Sequence, residues 1–167
     1  LLGNENDGIL LFDRHAGMVV PYRTAQNVGT AIYNVFSMLV DDQTLWIAAF
    51  QRGIEAVDLK SRTVKSYLAD PSDPSSRVFV LFRSSSGRIW AGTSVGLFYY
   101  DRFEDRFVTR DPKVRISDIT EDHAGRLWIA TNEDGLYSYD ARTDLLQHYR
   151  YDPDDPATIS RNAVNTL

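Results

Sequence analysis

The sequence predicts an all-β protein in which one antiparallel unit is repeated about four times, and three observations lead to this prediction. Each of the three tryptophans, Trp46, Trp90 and Trp128, lies six or seven residues before a glycine that is itself five residues before an aspartate. The repeat glycines, beginning with Gly8, are 45, 43 and 39 residues apart (53−8, 96−53, 135−96), a period typical of stacked supersecondary units. The position two residues after each tryptophan position always holds a small residue: Gly3, Ala48, Gly92 and Ala130.

The best-preserved copy, residues 114–150, contains four short strands. Residues 127–131 are apolar on both alternating faces, which is typical of a strand buried on both sides. A turn that ends at Gly135 separates this strand from a second alternating segment at 136–139. Further strands are expected at 114–120 and 145–149. Four-stranded units of about 40 residues, repeated around an axis, indicate the blades of a β-propeller.

The blades can be placed along the chain in order. They are expected at residues 1–22, 31–67, 77–110 and 114–150, and the start of a next blade at 162–167, with a strand at 163–167. The first copy has Leu1 at the tryptophan position and lacks its first strand. Two linkers that begin at Asp70 and Asp152 combine prolines with turn-forming residues and cannot continue a central strand. The chain therefore reads as part of a propeller.

Each repeated residue has an expected structural role. We expect Trp46, Trp90 and Trp128 to be buried between blades, because a large ring that recurs once per copy serves the packing of that copy. This interpretation is preferred over stacking of these rings on bound sugars. The other expected structural residues are the repeat glycines, Gly53, Gly96 and Gly135.

The composition excludes several classes of protein. Hydrophobic residues make up 43% and charged residues 25%, as in ordinary globular proteins. A net charge of −5 without a basic cluster argues against a nucleic-acid partner. The absence of cysteine excludes disulfides and thiolate metal sites. No apolar run approaches the ~20 residues that a membrane helix needs.

The chain resembles the two-component regulator propeller repeat over essentially all of its 167 residues. The resemblance is carried by Asp122-His-Ala-Gly-Arg-Leu-Trp128-Ile-Ala-Thr131, by Gly135-Leu-Tyr-Ser-Tyr-Asp140, and by the D-P-x-D-P linkers at 70–74 and 152–156. The sequence departs from the pattern at Leu1, at Val57 and at Ser84-Ser85-Ser86, which replaces an acidic turn.

The resemblance implies a function as well as a fold. In this family such repeats form propellers, seven-bladed by expectation, in the periplasmic sensor region of membrane-anchored hybrid two-component regulators that respond to polysaccharide fragments. An oligosaccharide would then be the ligand. The histidine kinase module would lie elsewhere in the parent chain, so this stretch is expected to be neither catalytic nor dependent on a cofactor.

Ligand contacts are expected from residues that differ between copies, in the loops between the second and third strands. The candidates are Gln51, Arg52, Asn132, Glu133 and Asp134. Neighbouring loop positions with the same property are Asn6, Asp7, Phe50 and Ser94.

Three other kinds of site have weaker support. The segment 120–128 partly resembles a sialidase Asp-box, which is a structural turn in its own family, and no pair of carboxylates suggests a glycosidase or lyase. His15, His123 and His148 lie at unrelated repeat positions, so no metal site is expected. The acidic turn at 132–135 could resemble a calcium loop but reads more simply as a hairpin turn.

Two alternatives to a ligand sensor remain at the level of the sequence. The same loops could dock a protein, or mediate receptor dimerisation, as a scaffold.

An open arc of four blades would also expose apolar sheet faces. Self-association into a closed ring, or further blades in a longer polypeptide, would cover them.

Overall fold

The computed structural model describes residues 2–4, 8–21, 34–49 and 51–167. These residues form fifteen strands in four antiparallel sheets, and each strand pairs with the one that follows it in its sheet. The first sheet holds three strands and the other three sheets hold four each. Up-and-down sheets of this kind are the expected blades of a propeller.

The strands have the following bounds. The first sheet consists of β1 (Leu2–Asn4), β2 (Gly8–Asp13) and β3 (Met18–Pro21), and the second of β4 (Val35–Asp41), β5 (Thr44–Ala49), β6 (Gly53–Asp58) and β7 (Val64–Tyr67). The third consists of β8 (Val78–Arg83), β9 (Ile89–Thr93), β10 (Leu97–Asp101) and β11 (Arg106–Arg110). The fourth consists of β12 (Ile116–Glu121), β13 (Leu127–Thr131), β14 (Leu136–Asp140) and β15 (Leu145–Tyr149). A short 3₁₀ helix covers Pro74–Ser76.

The chain divides into two compact units. The first, Leu1–Val78, holds the first and second sheets. Its core joins Ile9 of the first sheet to Leu45, Ile47 and Val57 of the second. These residues lie on one face of their strands, because β5 and β6 pair Leu45 with Val57. The apolar residues that alternate along these strands thus pack between the first and second sheets.

The second unit, Phe79–Leu167, holds the third sheet, apart from Val78, and the fourth. The indole of Trp90 on β9 meets the ring of Tyr139 on β14 edge to face, with 5.7 Å between centroids. Gly92 lies beside this contact, and a Cβ there would come within 2.6 Å of Ile116 and Val80 side-chain carbons. A small residue is therefore required where the fourth sheet presses on the third.

The repeat glycines lie where two segments of the backbone pass close to each other. Gly53 and Gly135 have positive φ angles of 70° and 82°, in the region that favours glycine. A Cβ would lie 2.2 Å from Tyr67 O at Gly53, and 2.2 Å from Tyr149 O at Gly135. The backbone leaving each fourth strand thus passes directly over the turn between the second and third.

The strand positions agree with the expected segments in most places. The strand expected at 31–40 begins at Val35, and residues 31–33 lie outside the described residues, as do Leu1 and Tyr22. The β12–β13 ladder contains an irregularity between Ile116 and Asp118. None of the described residues belongs to a helix of the length and hydropathy that a bilayer span requires.

The strand expected at 163–167 is wrong. This segment adopts no regular structure and makes isolated hydrogen bonds to the fourth sheet. Val164 N donates to Thr131 O at 2.9 Å, and Thr166 Oγ1 and Leu167 N donate to the carboxylate of Asp118 at 3.1 and 3.0 Å. One carbonyl and one side chain do not provide the continuous ladder that defines a strand.

Burial of the tryptophans also differs from the expectation at one position. Trp46 and Trp90 are 4% and 2% exposed. Trp128 is only partly buried. Trp90, the equivalent residue of the third sheet, is covered by Tyr139 of the fourth sheet. Trp128 lies on the other face of the fourth sheet from Tyr139, where it stacks on Tyr149 of its own sheet.

Candidate functional site

The candidate ligand residues lie on two turns, one in each compact unit. Gln51 and Arg52 form the exposed turn between β5 and β6, and Phe50 lies outside the described residues. Asn132, Glu133 and Asp134 form the turn between β13 and β14. Asn6 and Asp7 are also outside the described residues.

A threonine side chain closes the β13–β14 turn of the second unit. Thr131 Oγ1 donates to Gly135 O at 2.7 Å and accepts from Asp134 N at 2.9 Å. Thr93 does the same around Gly96, donating to its carbonyl at 2.9 Å and accepting from its amide at 3.1 Å. Since a hydroxyl both donates and accepts, one side chain satisfies both backbone groups of the turn.

The β5–β6 turn is built differently, because Ala49 stands where the other two copies have threonine. Here Arg52 N donates to Ala49 O at 3.2 Å, and Gln51 takes a left-handed conformation with φ 58°. Gln51 and Arg52 are both exposed. The turn thus carries two polar side chains and lacks the threonine hydroxyl that closes the other two turns.

Arg52 is paired with a residue that sequence reasoning missed. Its Nη2 lies 3.4 Å from Oε1 of Glu55, which is 7% exposed on β6. Burial raises the pKa of the Glu55 carboxyl, and the charge and hydrogen bond of Arg52 oppose this shift. The sequence signal was present: two residues after the repeat glycine this copy has Glu55, where the other copies have Leu10, Phe98 and Tyr137.

Asp134 belongs to a polar cluster on the fourth sheet. Tyr137 Oη donates to Asp134 Oδ2 at 2.5 Å, and Arg150 Nη2 lies 3.4 Å from the other carboxylate oxygen. His148 Nε2 is 2.6 Å from the Asp134 carbonyl oxygen, and its ring stacks on Tyr137 with 3.9 Å between centroids and 7° between planes. Burial, followed by the bond to Asp134, raises the pKa of the Tyr137 hydroxyl.

The contacts of this cluster separate the roles of the candidates on the turn. The carboxylate of Asp134 already has intramolecular partners, so it is suited to hold the turn. Glu133 is exposed, and Asn132 Nδ2 donates to its Oε1 at 3.3 Å. Asn132 N also donates to Arg115 O at 3.2 Å. Asn132 and Glu133 are therefore the side chains of this turn that a ligand can reach.

An open groove of about 590 Å³ lies beside the same cluster. Its walls combine aromatic rings, polar groups and the linker that follows β15. Tyr149, stacked on Trp128 with 5.6 Å between centroids, forms part of one wall, and Tyr151, 46% exposed, lies next to it. The remaining lining residues are His148, Arg150, Asp152, Pro153, Ala157, Thr158 and Ile159.

Asn162 connects the groove to the candidate turn. Its side-chain oxygen accepts from Tyr151 N at 2.7 Å, and its carbonyl accepts from Gly135 N at 2.7 Å. The equivalent linker of the first unit, which follows Tyr67, has Leu68 and Ala69 where this one has Arg150 and Tyr151. The chemistry of the groove thus differs between copies at an otherwise regular position.

The described residues contain no group of three or more His, Asp or Glu side chains arranged to hold a metal ion. His148 instead contacts Tyr137 and Asp134. The turn at 132–135 closes through Thr131, which gives it a structural explanation that does not require calcium.

Comparison with known proteins supports the architecture. Residues 111–133 match the family described as two component regulator propeller. The chain is 34% identical over 97 residues to histidine kinase P4 of Formosa agariphila, an alignment that covers 48% of this chain and 7% of that protein.

Two solved structures share the fold over nearly the whole chain. Both are extracellular domains of putative hybrid two component systems from B. thetaiotaomicron. The first has a TM-score of 0.81 with 22% identity and covers 96% of this chain and 21% of its own. The second has a TM-score of 0.78 with 18% identity and covers 98% of this chain and 22% of its own. The fold prediction is confirmed as a partial β-propeller, which spans about a fifth of these solved chains.

Proposed function

We propose that this chain, a partial β-propeller with a two-component regulator propeller repeat, belongs to the ligand-sensing region of a membrane-anchored hybrid two-component receptor. The stretch binds and transmits, while a histidine kinase module elsewhere in the parent chain catalyses phosphotransfer. This proposal rests on one observation: the chain is 34% identical to a histidine kinase over 97 residues, and its own residues 111–133 match the two component regulator propeller family. Because the two similar structures are extracellular domains, we place the chain on the periplasmic side of the membrane.

The proposed ligand is an oligosaccharide derived from a polysaccharide. Sugars are bound by aromatic faces together with side chains that donate and accept hydrogen bonds. Gln51 and Arg52 offer such groups in the first unit, and Asn132 and Glu133 offer them in the second. The groove adds the partly exposed ring of Tyr151 beside Arg150 and Asp152.

Calorimetric titration of the chain against a panel of oligosaccharides tests this proposal. For a sugar that binds, the double variant Arg52→Ala/Glu133→Ala should lose binding while it stays folded. Its unfolding temperature should fall only by what the ion pair between Arg52 and Glu55 contributes, because Glu133 is exposed. The control Glu104→Ala/Arg106→Ala removes the same two residue types from the β10–β11 hairpin and should keep full affinity. Unchanged affinity in the first double variant would exclude these residues as ligand contacts. A response only to a protein partner would favour the scaffold role.

A further inference from the structure

Two turns of the second unit have the same backbone but different side chains. In the β12–β13 turn, Asp122 N donates to Arg126 O at 2.9 Å and Gly125 N donates to Asp122 O at 2.9 Å. In the β8–β9 turn, Ser84 N donates to Arg88 O at 2.9 Å and Gly87 N donates to Ser84 O at 2.8 Å. Ser84 therefore occupies the position of Asp122.

The carboxylate of Asp122 has a defined task. Its Oδ1 accepts from the amides of Ala124 and Arg126, both at 2.9 Å, and its Oδ2 accepts from Trp128 Nε1 at 3.1 Å. Three N–H groups thus converge on one anion. Their equivalents around Ser84 are the amides of Ser86 and Arg88 and the indole of Trp90.

Serine cannot reproduce this arrangement. The Ser84 hydroxyl donates to Arg88 O at 3.1 Å and lies 2.9 Å from Ser86 Oγ. Trp90 is 2% exposed, and its Nε1 is buried without a hydrogen-bond partner among the described residues. A buried donor left without an acceptor costs free energy, so the site favours any acceptor that can reach it.

The Trp90 ring and this serine turn form one side of a cavity of about 370 Å³ within the second unit. The opposite side comes from the fourth sheet and its turns, including Glu121, Leu127 and Arg142. The volume exceeds what one water molecule fills.

The lining of the cavity carries two guanidinium groups, those of Arg88 and Arg142, and one carboxylate, that of Glu121. The Arg88 guanidinium lies over the rings of Trp90 and Tyr99, at 5.8 and 5.0 Å from their centroids, rather than against a carboxylate. The carboxylate of Glu121 is already occupied by Ser85, whose amide and hydroxyl donate to it at 2.6 and 3.0 Å. Arg142, which is held by Asp140, adds a second guanidinium.

We propose that this cavity binds a small free carboxylate in the position that Asp122 fills in the neighbouring turn. The bound carboxylate accepts from Trp90 Nε1 and from the amides of Ser86 and Arg88. Binding requires the Ser84 and Ser86 hydroxyls to rotate and open the path to the indole. This site is independent of the candidate ligand turns, since it lies at the opposite ends of β9 and β13.

The indole resonances of the full chain test the proposal directly. With the three tryptophans assigned, sodium acetate is titrated in chloride-free buffer at constant ionic strength, and acetamide serves as the uncharged probe. Acetate should move the Trp90 Nε1–H resonance to saturation, whereas acetamide should not. The Trp128 resonance should stay fixed, because Asp122 already holds its N–H.

Ser84→Asp supplies the carboxylate within the chain. This variant should shift the Trp90 resonance towards that of the acetate complex and lose the response to acetate. Arg142→Gln, at a residue whose side chain is 72% exposed, should weaken the response without preventing folding. A Trp90 resonance that ignores acetate, or that moves equally with acetamide, would overturn the proposal. The unmodified chain alone decides this if Ser84→Asp does not fold.

Discussion

Arg52 reaches back from its turn to the buried carboxylate of Glu55, with 3.4 Å between Nη2 and Oε1. Burial raises the pKa of Glu55 above 4.5, and Arg52 offsets only part of this effect. The folded state therefore binds this proton more tightly than the unfolded chain does. The resulting stability is complete at low pH and is lost as the pH rises above about 4.5 through the folded-state pKa.

Glu55→Gln should remove this pH dependence. We expect its stability relative to the parent chain to increase from pH 4.5 to pH 7, because the parent alone loses a proton from a buried site. The stability of Arg52→Ala relative to the parent chain should decrease over the same pH range, since this variant leaves the buried carboxylate without its partner. Urea unfolding at several pH values measures both differences. A Glu55→Gln difference that is constant across this range would show that the carboxylate is not desolvated.

Replacement of the repeat tryptophans by alanine should rank by burial. Trp90→Ala removes a ring that is 2% exposed and packed on Tyr139, so we expect a loss of about 3–5 kcal/mol. Trp128→Ala should cost clearly less, because that ring is only partly buried. Denaturant unfolding of both variants gives the comparison. Equal costs would indicate that Trp128 is covered as completely as Trp90.

Gly92→Ala should destabilise the second unit by about 1–3 kcal/mol, because the added methyl meets Ile116 and Val80 at 2.6 Å. Gly17→Ala is the control, since no atom lies within 4 Å of its Cβ position. Its positive φ strains an alanine there by about 1–2 kcal/mol, so this variant gives the cost of backbone strain without a steric clash. Thermal unfolding measures both variants, and a Gly92→Ala variant as stable as the parent would contradict the close packing of the two sheets.

Tyr151→Ala should weaken binding of any oligosaccharide that the calorimetric panel identifies, by about tenfold if one ring face is lost. Phe103→Ala removes an aromatic ring that is 97% exposed in the β10–β11 turn, outside the groove, and should leave affinity unchanged. Equal effects of the two variants would indicate that the groove is not the binding surface.

The chain on its own should self-associate. The face of the fourth sheet that carries Trp128 and Tyr149 remains partly accessible, and apolar sheet faces of this kind are usually covered in soluble proteins. Light scattering should therefore give a mass above the 19.0 kDa of one chain. A monodisperse monomer would show that this face is stable in water and would contradict the self-association expected from the sequence.

Comparison of sequence and structure shows which features depend on local pattern. The spacing from tryptophan to glycine to aspartate placed the strands of the four sheets, because strand period and turn chemistry act over a few neighbouring residues. The same pattern located the turns that carry Arg52 and Glu133. It also identified the small residue at Gly92 through its repeat position.

The sequence alone therefore determined the all-β class, the repeat and the order of strands in each sheet. The tertiary structure decided which side chains are covered and which polar groups meet: Glu55 under Arg52, Asp134 within its cluster, Tyr151 beside the groove. It also showed that Trp128 is partly exposed, that 163–167 is not a strand, and that Ser84 leaves Trp90 without an acceptor. These features depend on distances between segments far apart in the chain, and a residue's burial or partner is set by the neighbouring sheet rather than by its own repeat.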